Sequence, residues 1–183
     1  MIDYSGQSVL VTGAASGIGS ALSTALADRG AYVICADIDE EGLDQTLNGL
    51  GGQGEKIVCD LADADAASAL IGEAFASRGP LALVCSNAGI GHRAKVTDPD
   101  LDFAAIHRLF EINFYAGLKI ANAYANKLDE SAAEGRLLVT TSETSLSLPN
   151  AIRRNRVPYY SASKHALIGA LEWLAIEQVN GPL

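Results

Sequence analysis

Residues 9–19 read Val9-Leu10-Val11-Thr12-Gly13-Ala14-Ala15-Ser16-Gly17-Ile18-Gly19, and this stretch decides the fold. The apolar run 9–11 predicts a buried strand, and apolar residues at helical spacing from Ile18 onward predict a helix. The glycine turn between them places unpaired backbone N–H groups at the positive end of a helix dipole. Such a turn suits an anionic phosphate, although the spacing G-x-x-x-G-x-G also fits an ordinary strand–helix loop.

Asp37 follows the second apolar run, 31–36, and lies 18 residues after Gly19. A carboxylate about 20 residues beyond such a turn accepts hydrogen bonds from an adenosine ribose. Neither Ser16 nor Ile38 offers a cation for a 2′-phosphate, and the Asp37 carboxylate would repel one, so we expect NAD rather than NADP. An aspartate at a strand end is also a common turn or N-cap residue, and that interpretation stays open here.

The composition predicts one globular domain over residues 1–183, because 49% of the residues are hydrophobic and 19% are charged. A net charge of −9 without a basic stripe excludes nucleic acid as an expected partner. Cys35, Cys59 and Cys85 lie within apolar runs, which indicates buried thiols in a reducing compartment. No apolar run approaches the ~20 residues of a membrane span, and residues 1–4 lack signal-peptide features. We therefore expect a cytoplasmic protein with no membrane partner.

Five apolar strands alternate with helices along the chain. The predicted strands are 9–11, 31–36, 56–59, 81–85 and 137–141. The predicted helices run from 18 onward, from 40 to about 50, over 62–78, from a cap at Thr97 or Asp98 to about 127, and from 160 to about 179. Alternating units of this kind, without an internal repeat, predict an α/β fold with a doubly wound parallel sheet.

Several short motifs lie at the predicted strand ends and on the last two helices. In chain order they are Thr12-Gly13-Ala14-Ala15-Ser16-Gly17-Ile18-Gly19, Asp37, Asp60-Leu61, Asn87-Ala88-Gly89, Asn113, Ser142 and Tyr160-Ser161-Ala162-Ser163-Lys164. The complete set in this order resembles the short-chain dehydrogenase/reductase family, and the resemblance covers nearly the whole chain. It implies a Rossmann-type sheet and an NAD(P)-dependent oxidoreductase that interconverts a secondary alcohol and a ketone.

The resemblance also implies roles for individual residues. Ser142, Tyr160 and Lys164 would be catalytic, and Asn113 would complete a proton relay. The cofactor-binding residues would be Gly13, Ser16, Gly17, Ile18, Gly19, Asp37, Asp60, Leu61, Asn87, Ala88, Gly89, Tyr160 and Lys164. Asp60 would lie near the adenine and Asn87 near the ribose. The helices that carry Asn113 and Tyr160 commonly form a subunit interface in this family, so a homodimer or homotetramer is expected.

The chemistry of one pair can be reasoned independently. Tyr160 and Lys164 are four residues apart on a helix, so their side chains share a face. A free tyrosine has a pKa of ~10, and a nearby ammonium in a poorly solvated cleft would stabilise the phenolate needed for proton transfer. The neighbouring Tyr159 has no lysine four residues further on. This spacing favours Tyr160 as the general acid and base.

Other assignments stay open from the residues alone. Thr141 and Ser145 are alternative hydroxyls to Ser142, which the family pattern selects. Asn113 is also explained as a hydrogen-bonded polar residue in the core. The histidines show no metal-ligand grouping and are expected to be surface or packing residues; they are His92, His107 and His165.

The loop 149–158 departs from the family pattern, because the 18 residues from Ser142 to Tyr160 exceed the usual spacing of the common branch. This loop lies beside the expected substrate cleft, where it would shape specificity or form a neutral surface excursion. Its arginines, Arg153, Arg154 and Arg156, are expected to be solvated, with attraction of an anionic substrate as the alternative.

The chain ends at Leu183, soon after the Tyr160 helix, whereas family members usually continue with a sixth and a seventh strand. Strand five would then be an exposed edge. Three explanations follow: a fragment of a longer enzyme, which we favour; a complete chain that covers this edge by self-association; or a non-catalytic domain that binds nucleotide or a partner protein. The intact Ser142, Tyr160 and Lys164 set disfavours the third.

Overall fold

One parallel sheet organises the part of the chain that the computed structural model describes, residues 3–148 and 154–183. Its strand order is β3-β2-β1-β4-β5, and all four pairings are parallel. The strands are β1 (Ser8–Thr12), β2 (Tyr32–Asp37), β3 (Gly54–Val58), β4 (Leu83–Ser86) and β5 (Arg136–Val139). The predicted Rossmann-type α/β sheet of five strands is confirmed. Residues 149–153, which include Pro149 and Arg153 of the predicted loop, lie outside the described residues.

Helices connect the strands and follow the last one. They are α1 (Gly17–Ala27), α2 (Glu40–Asn48), α3 (Ala66–Arg78), α4 (Phe103–Phe110), α5 (Ala116–Ser131) and α6 (Pro158–Glu177). A π-helical turn, Glu111–Tyr115, joins α4 directly to α5, and a short 3₁₀ turn, Glu143–Ser145, follows β5. Pro158 begins α6 at the first helical position, where its missing N–H and fixed φ cost nothing.

Alternating strand residues fill two cores, one on each face of the sheet. Val9 and Val11 of β1 pack with the α1 and α2 side, whereas Leu10 packs with the α3 and α5 side. The same alternation holds in β2, where Val33 and Ile34 face opposite cores. Successive side chains of a strand point to opposite faces, so these continuous apolar runs require helices on both sides. This arrangement is the doubly wound architecture that the sequence predicts.

The order of the strands creates a crevice at the centre of the sheet. From β1 the chain proceeds outward to β2 and β3, and it then returns to place β4 on the other side of β1. The register sets Val11 opposite both Cys35 of β2 and Cys85 of β4, so the three strands end side by side. Open α/β sheets bind their ligands at such a switch point, at the carboxyl ends of the strands.

The predicted start of the fourth helix is wrong. The helix begins at Phe103, and the Asp102 carboxylate caps it by accepting the Ala105 N–H at 3.0 Å. Asp98 instead accepts the Lys95 N–H at 2.6 Å in a local turn. Both aspartates are good capping residues, and the choice between them depends on tertiary packing, in which α4 contacts α6.

The predicted helix 62–78 also begins later than expected, at Ala66. The intervening residues form a turn in which Asp60 accepts the Ala62 N–H at 2.9 Å through its carboxylate. Helix α1 is present as predicted, although Ile18, the first apolar residue of its pattern, is 67% exposed. The buried residues of α1 are Gly19, Ser23, Leu26 and Ala27. Small residues let this helix lie close to the sheet, so its buried face is not its most apolar one.

Strand β5 lies at the edge of the sheet, as expected, and has one strand neighbour in the described residues. An apolar groove of about 400 Å³ lies between β5 and α6. Leu137 and Val139 line its strand side, and Leu171 and Leu174 line its helix side. Among the described helices, none has the length and apolar character needed to cross a membrane.

Gly19→Ala should destabilise the fold, because a Cβ at this position would lie 2.0 Å from the carbonyl oxygen of Gly13. We expect a loss of about 3 kcal/mol in the free energy of unfolding, the upper part of the usual range for overpacking. Urea unfolding followed by circular dichroism measures this loss. Gly72→Ala is the matched control within α3, where no described heavy atom lies within 4 Å of the added carbon. The control should gain up to ~1 kcal/mol from helix propensity, and equal effects would contradict the prediction.

Candidate functional site

The turn after β1 requires glycine where it touches the next strand. Gly13 has a φ of 68°, and a Cβ there would lie 2.9 Å from the Cα of Ala88. Gly17 has a φ of 54°, and no heavy atom of the described residues lies within 4 Å of its missing side chain. The turn therefore packs against β4 on one side and is open on the other.

The open side presents the amino end of α1. Ser16 is the N-cap residue, but it makes no side-chain capping hydrogen bond in the described structure. The first N–H groups of a helix have no partner within the helix, so those of the first turn point outward. Ile18 lies exposed beside them. The result is a patch of backbone donors with a positive helix end, as the sequence predicts.

Asp37 is tied to this turn by its carboxylate. One oxygen, Oδ2, accepts the Ala15 N–H at 3.1 Å, and Oδ1 accepts the N–H groups of Ile38 and Asp39 at 2.7 and 3.1 Å. Carboxylate oxygens have two lone-pair sites each, so acceptor capacity remains for a ligand hydroxyl. Asp37 thus has the turn role, and its role as acceptor for a ribose hydroxyl stays a prediction.

Asp60 forms an ion pair that the sequence did not indicate. Its carboxylate lies 2.9 Å from Arg108 Nη2, and Arg108 comes from α4, 48 residues further along the chain. The Ala62 N–H and, after it, the Arg108 guanidinium hold the pKa of Asp60 below its ordinary value. No local pattern signals this pair, because the two residues meet only when α4 packs beside the end of β3.

These elements enclose a cavity of about 240 Å³ at the carboxyl ends of the strands. Its lining includes seven of the predicted cofactor residues: Gly13, Ser16, Asp37, Asp60, Leu61, Ala88 and Gly89. Ile38, Cys59, Ile90, Arg108 and Ile112 complete the lining. The other predicted cofactor residues lie outside this lining: Gly17, Ile18, Gly19, Asn87, Tyr160 and Lys164.

Asn87 joins three strand ends through its backbone and side chain. Its Nδ2 donates to the carbonyl oxygen of Thr12 at 3.1 Å, and its Oδ1 accepts from the Thr140 hydroxyl at 2.9 Å. The Thr12 hydroxyl in turn accepts the N–H groups of Asn87 and Ala88 at 3.0 and 3.1 Å. Asn87 thereby holds the ends of the three strands together beside the cavity, a positioning role that the sequence did not show.

Asn113 lies in the π-helical turn and is 2% exposed. Its Oδ1 accepts the Ile90 N–H at 2.8 Å, while its Nδ2 donates to the Ile90 carbonyl at 2.9 Å and to Ser163 Oγ at 3.2 Å. The extra residue of a π turn re-aims a helix side chain, and such turns are frequent at functional sites. Asn113 is therefore a satisfied buried amide that binds the segment after β4 to α6.

Lys164 is 3% exposed, and its Nζ donates to the carbonyl oxygen of Thr140 at 2.8 Å. Burial lowers the pKa of Lys164 from its ordinary value. The Nζ lies 6.0 Å from the ring centroid of Tyr160. A Cβ on Gly89 would lie 3.6 Å from Lys164 Nζ and 3.2 Å from Asn113 Oδ1. Gly89 therefore joins the cavity to the residues predicted to be catalytic.

Ser142 caps the 3₁₀ turn that packs against α6. Its hydroxyl lies 3.1 Å from Thr144 Oγ1 and accepts the Thr144 N–H at 3.3 Å. The alternative hydroxyl of Ser145 is buried and donates to the Ser142 carbonyl oxygen. The turn that carries Ser142 thus contacts α6, and no hydrogen bond joins Ser142 to Tyr160 in the described residues.

The remaining reactive side chains form no second centre in the described residues. No group of three or more histidine, cysteine, aspartate or glutamate side chains that could hold a metal ion occurs there. The cysteines are free thiols, although Cys59 is only half-buried. Burial raises the pKa of Cys59 to about 11 and that of Cys85 to about 12, so these thiols stay protonated at neutral pH.

Arg108→Gln should raise the pKa of Asp60 toward its ordinary value, because the variant removes the neighbouring positive charge while the Ala62 N–H remains. Carboxyl ¹³C chemical shifts followed through a pH titration measure the change. Arg136→Gln is the matched control, since Arg136 lies at the opposite end of the sheet. An Asp60 titration identical in the two variants would contradict the prediction.

Comparison with known proteins agrees with this geometry. The family model for short chain dehydrogenases matches residues 7–180. The chain is 32% identical over 177 residues to 1-deoxy-11-beta-hydroxypentalenate dehydrogenase of Streptomyces avermitilis, covering 95% of this chain and 64% of that protein. It is 34% identical over 173 residues to (+)-borneol dehydrogenase 1 of Salvia officinalis, covering 94% of this chain and again 64% of the relative.

Solved structures share the fold as well. A metagenomic short-chain oxidoreductase in complex with NADP superposes with a TM-score of 0.83 at 28% identity, covering 96% of this chain and 77% of that one. The chain thus spans about two thirds of the length of the two curated relatives named above. Its matched region includes the glycine turn, the buried Asn113 and the Tyr160–Lys164 pair. The chain belongs to the short-chain dehydrogenase/reductase family.

Proposed function

We propose that the protein binds NAD and interconverts a secondary alcohol and a ketone by hydride transfer. The observation that carries this proposal is the position of Gly89, which lines the cavity and also lies beside Lys164 and Asn113. A ligand in the cavity would extend past Gly89 to the first turn of α6, where Tyr160 lies. The two curated relatives are named as dehydrogenases of a hydroxypentalenate and of borneol, which supports alcohol oxidation.

The residues present fit a nicotinamide dinucleotide. The uncapped amino end of α1 and the open side of Gly17 would take the pyrophosphate. Asp37 would accept the hydroxyls of the adenosine ribose, and Asp60 with Leu61 would border the adenine. Ala88 and Gly89 would border the second ribose, with Asn87 holding that segment in place. When bound, the nicotinamide supplies the site that accepts or returns a hydride.

The preference for NAD over NADP rests on Asp37. Its carboxylate is held within the cavity by three backbone N–H groups, and a 2′-phosphate would lie against its negative charge. Arg108 is the cation of the cavity lining, but it is paired with Asp60. One structural relative was solved with NADP, so the test must compare both cofactors.

Tyr160 would transfer the substrate proton. In alcohol oxidation its phenolate oxygen would accept the hydroxyl proton, and in ketone reduction the phenol would return it. The buried Lys164 ammonium, fixed by the Thr140 carbonyl, would stabilise the phenolate across the shared helix face. Ser142 Oγ would donate a hydrogen bond to the substrate oxygen. Asn113 would hold the segment after β4 and would complete the proposed relay toward Lys164.

A homodimer or homotetramer is part of this proposal. Helix α6 exposes Trp173 at 67% and Ile176 at 63%, beside Val179 in the segment that follows the helix. Large exposed apolar side chains of this kind support an interface, because burying them removes apolar area from water. We also propose a cytoplasmic location, which the free cysteines support.

Tyr160→Phe should reduce kcat by about 10²- to 10⁴-fold, the usual contribution of general acid–base catalysis, while NADH binding weakens by about tenfold at most, the worth of one hydrogen bond. Tyr159→Phe is the matched control, because it removes the same hydroxyl from the adjacent residue. Steady-state kinetics on a panel of secondary alcohols and ketones, with NADH fluorescence titration, measure both quantities. Full turnover by the Tyr160 variant would overturn the role assigned to it.

Asp37→Asn should shift cofactor preference toward NADPH by about tenfold, because the repulsion of a 2′-phosphate is removed while one acceptor oxygen remains. Fluorescence titration of each variant with NADH and NADPH measures the ratio of dissociation constants. Asp39→Asn is the control, since asparagine caps a helix as well as aspartate and the same charge is lost two residues away. An original protein that prefers NADPH would contradict the assignment of NAD.

A further inference from the structure

A second cavity, of about 530 Å³, lies between two loops that flank the proposed catalytic residues. Its lining consists of Arg93 and Ala94 with Asp98, from the segment after β4, and of Arg154, Asn155 and Arg156, from the segment before α6. We call it the arginine pocket. Three positive side chains face one negative side chain there, in a protein whose net charge is −9. Because acidic residues outnumber basic ones in this chain, a random set of charged side chains would be mainly negative, whereas those of the arginine pocket are mainly positive.

Backbone contacts hold the two sides of the arginine pocket together. The Ala94 N–H donates to the carbonyl oxygen of Arg156 at 2.8 Å. Arg156 has a φ of 51°, a left-handed conformation that a bulky residue rarely adopts outside a constrained setting. This left-handed backbone lies at the edge of the arginine pocket, where the hydrogen bond from Ala94 holds it.

The guanidinium groups of the arginine pocket have no ion-pair partner among the described residues. None of Arg93, Arg154 and Arg156 forms an ion pair with another described residue, whereas Arg78 and Arg108 are paired with Glu55 and Asp60. The Asp98 carboxylate already accepts the Lys95 N–H at 2.6 Å. Guanidinium presents a planar fork of donors that matches the two oxygens of a carboxylate or phosphate.

The chain places this pocket next to the proposed chemistry. Arg93 lies three residues after Ile90, whose backbone is bound at both ends by Asn113. Arg156 lies four residues before Tyr160, and α6 begins between them at Pro158. A substrate whose reacting carbon lies near Tyr160 would therefore extend toward the arginines. Anions at the arginine pocket would be attracted there despite the acidic surface elsewhere.

We infer that the arginine pocket binds an oxyanion group of the substrate, so the substrate is a hydroxy acid or keto acid, or the corresponding phosphate ester, and not a neutral alcohol. The identification of the anion as part of a substrate rests on the proposed function, whereas the binding of an anion by the arginine pocket does not. Arg93, Arg154 and Arg156 would then determine specificity without taking part in proton or hydride transfer.

Binding of a small anion tests the pocket directly. The chain would be titrated with benzoate, with benzamide as the neutral match and with phenyl phosphate as the second oxyanion, at constant ionic strength. Arginine Nε–Hε and Ala94 amide resonances would report the site. We expect saturable shifts with at least one oxyanion and none with benzamide, and the two oxyanions distinguish a carboxylate from a phosphate group. Equal responses to all three compounds would overturn the inference.

Variants identify the residues that bind. Each of the variants Arg93→Gln, Arg154→Gln and Arg156→Gln should weaken oxyanion binding by about tenfold, the usual worth of one charge-assisted hydrogen bond. The triple variant should weaken it further. Arg136→Gln is the control, because its exposed side chain lies at the other end of the sheet. Unchanged binding in the triple variant, with an unchanged melting temperature, would contradict the assignment.

Turnover separates this inference from the proposed function. A hydroxy acid should show a KM about tenfold or more lower than that of its methyl ester, and the triple variant should abolish that difference with little change in kcat. Turnover that does not distinguish acid from ester would overturn the inference and leave the proposed function intact. Absence of turnover with every alcohol, together with arginine-dependent benzoate binding, would overturn the proposed function and leave the pocket as an anion site.

Discussion

The rest of the site depends on the contact between the glycine turn after β1 and the segment that follows β4. The Thr12 hydroxyl accepts the N–H groups of Asn87 and Ala88, and Gly13 lies so close to Ala88 that no side chain fits. Parallel strands bring their carboxyl ends to one edge, but the hydrogen bonds of the ladder stop there. These side-chain bonds extend the pairing by two residues and hold both segments in fixed register. The cavity lined by these two segments keeps its shape because the hydrogen bonds hold the segments together.

A second junction depends on the first. Ile90, three residues after Asn87, is bound at its N–H and its carbonyl by the Asn113 amide, and that amide also reaches Ser163 of α6. A buried side-chain amide without hydrogen-bond partners destabilises the fold by more than its hydrogen bonds stabilise it, so Asn113 requires all three contacts at once. The π-helical turn supplies the rotation that makes them possible. In this way the position of α6, with Lys164 and Tyr160, is set from the end of β4.

The sequence predicted the sheet well, because buried strands and their neighbouring helices leave regular apolar patterns. The candidate site residues came from a family resemblance. The structure places Gly13, Asp37, Asp60 and Gly89 in one cavity lining, and their roles stay predictions. The sequence could not predict the Arg108–Asp60 pair or the hydrogen bond from Ala94 to Arg156. Such pairs join distant segments through exposed polar groups, and neither periodicity nor spacing records them. The helix start at Asp102 was missed for a related reason, since several nearby residues are equally good caps.

Charge is distributed unevenly along the edge where the strands end, and net charge alone conceals this. Asp37 and Asp60 place carboxylates at the end of the cavity near β2 and β3, where ribose hydroxyls and an adenine would need acceptors. Lys164 is buried beside Gly89, and the arginine pocket is lined by residues of the segments after β4 and before α6. Carboxylates at one end would suit the hydroxyls of a bound cofactor, and arginines at the other would suit a substrate anion, whereas an anion at the carboxylate end would meet like charge. This difference in charge would direct an anionic group toward the arginine pocket and away from Asp37 and Asp60.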